Sequence, residues 1–173
     1  FRQRMPKVVV SQSAAPDLVE KRYFDSLRQI KVSLMSNRSY DDADIALGRL
    51  LENWLKQDHP DPAGLASLYE LRGACNRELN RASLAVVNFR KSVEFYKKKS
   101  VDRPEIPIAN MKLADALELT GDLKPAIAAR QQADRFWRNH PHSAALQSHI
   151  DLNLRRLSTD LVKLQEKKDK AHR

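Results

Sequence analysis

The chain has 173 residues, 42% hydrophobic and 31% charged, with a net charge of +9, 4 glycines and a single cysteine. That suffices for one domain with a real core and is short for two. Cys75 alone excludes an internal disulfide framework, and no stretch approaches the roughly 18 apolar residues of a membrane span.

The +9 suggests nucleic acid until it is divided along the chain. Residues 1–16 hold Arg2, Arg4 and Lys7 with no acid, residues 155–173 carry +4, and the body between them only +2. Basicity is concentrated at the ends, so a basic binding face over the whole domain is not expected, and neither is nucleic acid as the main partner. Residue 1 is Phe, which points to a fragment or a processed form. The compartment stays open, with the cytoplasm as default and an extracytoplasmic bacterial scaffold as the alternative if a signal or anchor precedes residue 1.

In chain order, residues 1–16 read as a flexible leader. Asp17 with Glu20 caps a first helix striped by Phe24, Leu27, Ile30 and Leu34. Asn37-Arg38-Ser39 ends it, and Ser39 with Asp42 opens a second helix lined by Ala43, Leu47, Leu50, Leu51 and Trp54. Asp61-Pro62 starts a third, with Asp61 as N-cap and proline at the first helical position. It carries Leu65, Leu68, Cys75 and Leu79. Its partner carries Ala82, Ala85, Val86, Phe89, Val93 and Tyr96. After Asp102-Arg103-Pro104 a fifth helix holds Ile106, Leu113, Ala114 and Leu117, stopped by Gly121 as a left-handed cap. Asp122 is read as the N-cap of the sixth, lined by Leu123, Ala126, Ile127, Ala133 and Trp137. Beyond His140-Pro141-His142, an amphipathic helix over 143–165 carries Leu146, Ile150, Leu154, Leu157, Leu161 and Leu164, and a basic tail, 166–173, follows.

A repeat runs through this order. Ala43 and Trp54, Ala85 and Tyr96, Ala126 and Trp137 are each eleven residues apart, about three helical turns, so each pair shares a helix face. The pairs recur at 42 and 41 residues, the mark of a stacked helical repeat. These residues, with Leu113-Ala114-Asp115-Ala116-Leu117-Glu118-Leu119-Thr120-Gly121-Asp122-Leu123-Lys124-Pro125-Ala126 and the joints His59-Pro60-Asp61, Arg103-Pro104-Glu105 and His140-Pro141-His142, resemble the tetratricopeptide repeat. The likeness is to the 42-residue variety found in kinesin light chains and covers about residues 17–142.

The resemblance implies an all-α, right-handed stack of three antiparallel helix pairs (17–60, 61–103 and 104–142), closed by the helix over 143–165 as a cap. Two departures stand out. Arg72 and Asn76 occupy positions that are apolar in the other repeats, with Leu71 and Cys75 one place earlier as substitutes. Arg130 replaces the large apolar residue seen as Leu47 and Phe89, and is expected to reach a partner or the end helix.

By the resemblance, the first helix of each pair lines a concave groove that takes a peptide or helix of another protein. The face opposite each apolar stripe proposes Arg28, Tyr69, Asn76, Arg77, Lys112 and Asp115 as groove residues. An acidic partner segment is implied by the resemblance and is compatible with Arg28, Arg77 and Lys112. The expected function is a non-enzymatic adaptor or scaffold. The alternatives are a self-assembly module pairing its end helix between copies and a binder of nucleic acid or anionic surfaces through the basic termini.

No catalytic constellation, cofactor loop or metal site is expected. His140 and His142 lack the ligand partners a metal needs, the glycines are isolated, and Cys75 sits on an apolar stripe.

Overall fold

The computed structural model describes residues 25–30, 32, 39–141 and 144–171. The expected leader, the Asp17–Glu20 cap and the turn at Asn37-Arg38 lie outside these residues. Residues 25–30 are helical. The helices that follow are α1 (Tyr40–Leu55), α2 (Pro62–Glu78), α3 (Ala82–Lys99), α4 (Glu105–Leu119), α5 (Leu123–Asn139) and, after a single 3₁₀ turn at Ala144–Leu146, α6 (Gln147–Ala171). Among the described residues there is no strand. Each helix packs against the next in chain order, from α1 on α2 through to α5 on α6.

The helix ends follow local chemistry. The Asp61 carboxylate accepts from the Gly64 amide at 2.9 Å, as an N-cap should. Asp122 does not cap α5 through its side chain. Its carboxylate accepts the Thr120 hydroxyl at 2.9 Å instead, a local bond that competes with capping. Ser39 likewise donates to Asp42 rather than capping the α1 backbone.

The turns α2–α3 and α4–α5 are the same structure 41 residues apart. In one, Arg81 N bonds Asn76 O at 2.8 Å and Asn80 N bonds Arg77 O at 3.0 Å. In the other, Asp122 N bonds Leu117 O at 2.9 Å and Gly121 N bonds Glu118 O at 3.0 Å. Both are Schellman closures with a left-handed residue after the C-cap: Asn80 at φ 57° and Gly121 at φ 81°.

All three spaced pairs are buried. Ala43 and Trp54, Ala85 and Tyr96, and Ala126 and Trp137 are each under 10% exposed. Each alanine lets a neighbouring helix approach, and each aromatic fills space near a joint. Trp54 packs with Leu27, Leu47, Leu51, Leu65 and Leu68, Tyr96 with Ala66, Val93, Ile106 and Ala109, and Trp137 with Met111, Ala133 and Ile150. Burying an apolar side chain of this size contributes about 1.5–3 kcal/mol before entropy is counted.

The irregular middle helix resolves differently from expectation. Cys75 does enter the core at 1% exposure, but Asn76 is not displaced outward and is equally buried. Burial, followed by the nearby Asp44 carboxylate, pushes the Cys75 thiol up to about 11, which leaves it an inert core residue.

Close packing sets the sign of one substitution. A Cβ on Gly73 would lie 2.8 Å from the ring of the fully buried Phe89, whereas one on Gly48 would meet only the Arg72 guanidinium at 3.4 Å. Replacing a mid-helix glycine by alanine ordinarily stabilises by about 0.5–1 kcal/mol. Gly48→Ala is expected to raise the melting temperature and Gly73→Ala to lower it, because the Phe89 ring has nowhere to retreat. Two melts showing the same sign would refute this.

The end helix departs most from its predicted stripe. It starts at Gln147 and stays helical to Ala171, so residues 166–171 continue the helix. Its buried residues are Ile150, Asn153 and Asp160, while Leu154 and Leu161 are 39% and 45% exposed. Arg130 projects from α5 where a large apolar residue was expected, and the buried face of α6 presents Asp160 to it at 2.9 Å.

Candidate partner-binding groove

Glu70 is the centre of the polar face shared by α2 and α4. Its carboxylate accepts from the Lys112 ammonium on α4 and from the Tyr96 hydroxyl at 3.1 Å on α3. Burial, then the Glu70 charge, raises the Tyr96 phenol well above its ordinary value, so it stays protonated and donates. Tyr69, one residue before, is half-buried and stacked on Phe95 with centroids 5.5 Å apart, and the Lys98 ammonium lies over that same Phe95 ring. Lys112 therefore sits beside Glu70, and Tyr69 against Phe95.

The other proposed groove residues are distributed differently. Arg28 is exposed on the helical segment 25–30. Arg77 is half-exposed and paired with Glu78 at 3.0 Å. Asn76 must be withdrawn as an accessible groove residue. It is 1% exposed and donates to Asp44 at 3.1 Å and to the Arg72 carbonyl at 2.8 Å. A core position on α2 has been filled by an amide because α1 offers it the Asp44 carboxylate, which also holds Arg72 at 2.8 Å. Composition alone gives no sign of this; the only hint was the missing apolar residue at 76.

Asp115 belongs to a second network. It pairs with Arg130 at 2.8 Å and with Arg156 of α6 at 2.6 Å. Arg130 is fully buried and also binds Glu118 and, at 2.9 Å, Asp160. Burial opposes its charge, but hydrogen bonds to Glu118, Asp115 and Asp160 outweigh that and hold its pKa above the ordinary value. Asn153 donates to the Arg130 carbonyl at 3.0 Å. The expectation that Arg130 reaches the end helix is met, and Asp115, proposed as a groove residue, joins α4 to α6.

Of the proposed groove cations, Arg77 and Lys112 are paired inside the chain, with Glu78 and Glu70, by side chains 20–41% exposed. Such pairs contribute only about 0–1 kcal/mol each. Among the described residues no group of three or more His, Cys, Asp or Glu could hold a metal ion. Among them, too, no helix is long and apolar enough to cross a membrane.

The joint after α5 has a titrating element of its own. Both ring nitrogens of His140 face acceptors: Nδ1 lies 2.9 Å from the Phe136 carbonyl and Nε2 3.0 Å from Asp102. Only the imidazolium can donate to both. The Phe136 carbonyl first, then Asp102, holds its pKa above 6.5. A pKa raised in the folded state adds stability that is complete below the unfolded value, about 6.5, and is lost as pH rises through the folded value. His140→Gln is expected to flatten stability against pH across that window. Chemical denaturation at several pH values would show it, and an unchanged profile would contradict it.

Among known proteins, no family model matches the chain and no curated protein matches it.

Proposed function

We propose that this chain is a non-enzymatic interaction module of the tetratricopeptide-repeat kind, an adaptor or scaffold. The helix through residues 25–30, α2 and α4 would line a concave groove for a peptide or helix of a partner protein. The observation that carries this reading is the recurrence of one turn geometry 41 residues apart, at Asn80 and Gly121, together with a buried alanine–aromatic pair on each of α1, α3 and α5. Thin hairpins of that design must lean on neighbours to bury their apolar sides, and the stack so formed is rigid enough to hold a docking surface. The partner's chemistry follows from exposed Arg28 and from Lys112 and Arg77, cations whose carboxylate partners Glu70 and Glu78 are exchangeable: an acidic segment.

The test is binding of acidic peptides bearing one aromatic residue to the full chain, beside duplex DNA. Peptide binding is expected to be lost in Lys112→Glu and retained when Lys167, Lys168 and Lys170 are changed together to Ala. DNA binding that falls steeply with salt and vanishes with the three-lysine change, without peptide binding, would overturn the reading in favour of the basic ends. Deleting residues 155–173 is unsuited to that comparison, since it removes Asp160 and strips α6 from Arg130.

A second reading, self-association through α6, is favoured by one observation: Leu154 and Leu161 are largely exposed on a 25-residue helix. Sedimentation at several concentrations, with Leu154→Lys/Leu161→Lys as control, tests it.

A further inference from the structure

The hairpins α2–α3 and α4–α5 are each closed at both ends. At one end is the turn, at Asn80 and at Gly121. At the other end, the mouth, an ion pair ties the joint before the first helix to the end of the second. Asp61 holds Lys99 at 3.0 Å, and Asp102 holds His140 at 3.0 Å. Each pair spans 38 residues, and both partners of the second stand 41 residues after those of the first. The repeat keeps the carboxylate and changes the cation. A lysine carries its charge throughout the neutral range, whereas a histidine gains and loses it there.

The histidine ring is held from two sides. It stacks on Phe136 with centroids 4.1 Å apart, with Nδ1 against the Phe136 carbonyl and Nε2 against Asp102. That carbonyl is one of the last four of α5, which helical bonding leaves over. A neutral ring has one proton to give. On Nδ1 it keeps the carbonyl, which the helix fixes in place. The Nε2 lone pair then faces the Asp102 carboxylate, 70% exposed, which hydrates freely on leaving. Loss of the proton therefore breaks the contact at Asp102 and not at the helix end. The charged groups on the surrounding elements are Arg135 and Arg138 on α5, Lys97, Lys98 and Lys99 at the end of α3, and Arg103 and Glu105 about the start of α4. The 3₁₀ turn and the first turn of α6 carry none before Asp151. Arg138 holds Asp134, Lys98 holds Glu94, and Arg103 and Glu105 hold each other, while Lys97 reaches the Gln132 side chain. The Phe136 carbonyl first, and then Asp102, favour the imidazolium.

We infer that the Asp102–His140 pair is a proton-operated clip on the mouth of the α4–α5 hairpin. Closed by the imidazolium, it fastens the α3–α4 joint to the end of α5. Opened by loss of that proton, it frees the joint, while the Asp61–Lys99 mouth stays shut. One joint of an otherwise permanent stack thus responds to pH near neutrality. The clip acts on the stack itself and does not depend on what fills the groove.

The experiment is an NMR pH titration of the isotope-labelled full chain across the histidine range, about pH 5 to 9, read at the His140 ring nitrogens and at the backbone amides. The chain carries His59→Gln, so that no other imidazole titrates beside Asp61. The neutral His140 ring is expected as the Nδ1–H tautomer. The amides of Asp102 and Arg103 are expected to shift with the His140 midpoint, and those of Asp61 and Ala63 to stay still. Asp102→Asn should lower the proton affinity of the ring by about two- to fivefold, the range a surface ion pair supplies. His140→Lys should leave Asp102 and Arg103 without a transition near neutrality, as the first mouth is. Lys99→His should move the behaviour to the first mouth, so that Asp61 and Ala63 now titrate. The inference is overturned if Asp102 and Arg103 do not share the His140 midpoint, or still titrate in His140→Lys. It is equally overturned if the neutral ring keeps its proton on Nε2, if Asp102→Asn leaves the midpoint in place, or if Lys99→His leaves Asp61 and Ala63 silent.

Discussion

Arg130→Ala is expected to lower stability by about 3–5 kcal/mol, the usual cost of removing one partner from a buried ion pair. The guanidinium is fully buried and holds Asp115, Glu118 and Asp160 together. Without it Asp160, 1% exposed, keeps only Lys163 at 3.6 Å, and α6 must detach to hydrate it. Arg130→Met/Asp160→Leu should recover most of the loss, since apolar replacement of a buried pair is often neutral or stabilising. Asp115 and Glu118, about a quarter exposed, keep Arg156 and Lys163 and stay solvated. Urea denaturation of the three proteins decides it. A single mutant within 1 kcal/mol of wild type, on the order of a surface change, would mean the network contributes nothing to holding α6.

Trp137→Ala is the second large effect, expected at about 3–5 kcal/mol, as for other large aromatic deletions. The ring is 3% exposed and packs on Met111 of α4, Ala133 of its own helix and Ile150 of α6, so three helices lose contact together. Trp137→Phe should cost markedly less, because the buried indole N–H has no hydrogen-bond partner to lose. Against a total stability of about 5–15 kcal/mol, the alanine mutant should show a lowered midpoint in a thermal melt. Arg130 and Trp137 both face α6 from α5, so their combined effect should fall short of the sum.

What the sequence made legible is what short-range chemistry decides. Asp61-Pro62 opens α2 and Gly121 closes α4 because cap and turn geometry depend on residues within one turn of each other. The alanine–aromatic pairs are visible because burial repeats with the helix and with the 42-residue period. Contacts between distant positions were not visible. Asp160 lies 30 residues from Arg130, and an aspartate on a charged helix reads as solvated until a buried cation is found opposite it. The buried face of α6 carries Asn153 and Asp160 beside Ile150 and leaves Leu154 and Leu161 exposed, so a stripe of six apolar residues overstated it. Asn76 was misplaced for the same reason, its acceptor Asp44 being 32 residues away.

The most direct measurement is native-state amide hydrogen exchange of the unmodified chain across low urea concentrations. If hairpins lean chiefly on their neighbours and α6 is held by a polar latch, opening free energies are graded along the chain. Residues 147–171 should then open first, and α3 and α4, with a neighbour on each side, should open last. One common opening free energy from α1 through α6, as in a bundle that unfolds all at once, would contradict the stacked-repeat account.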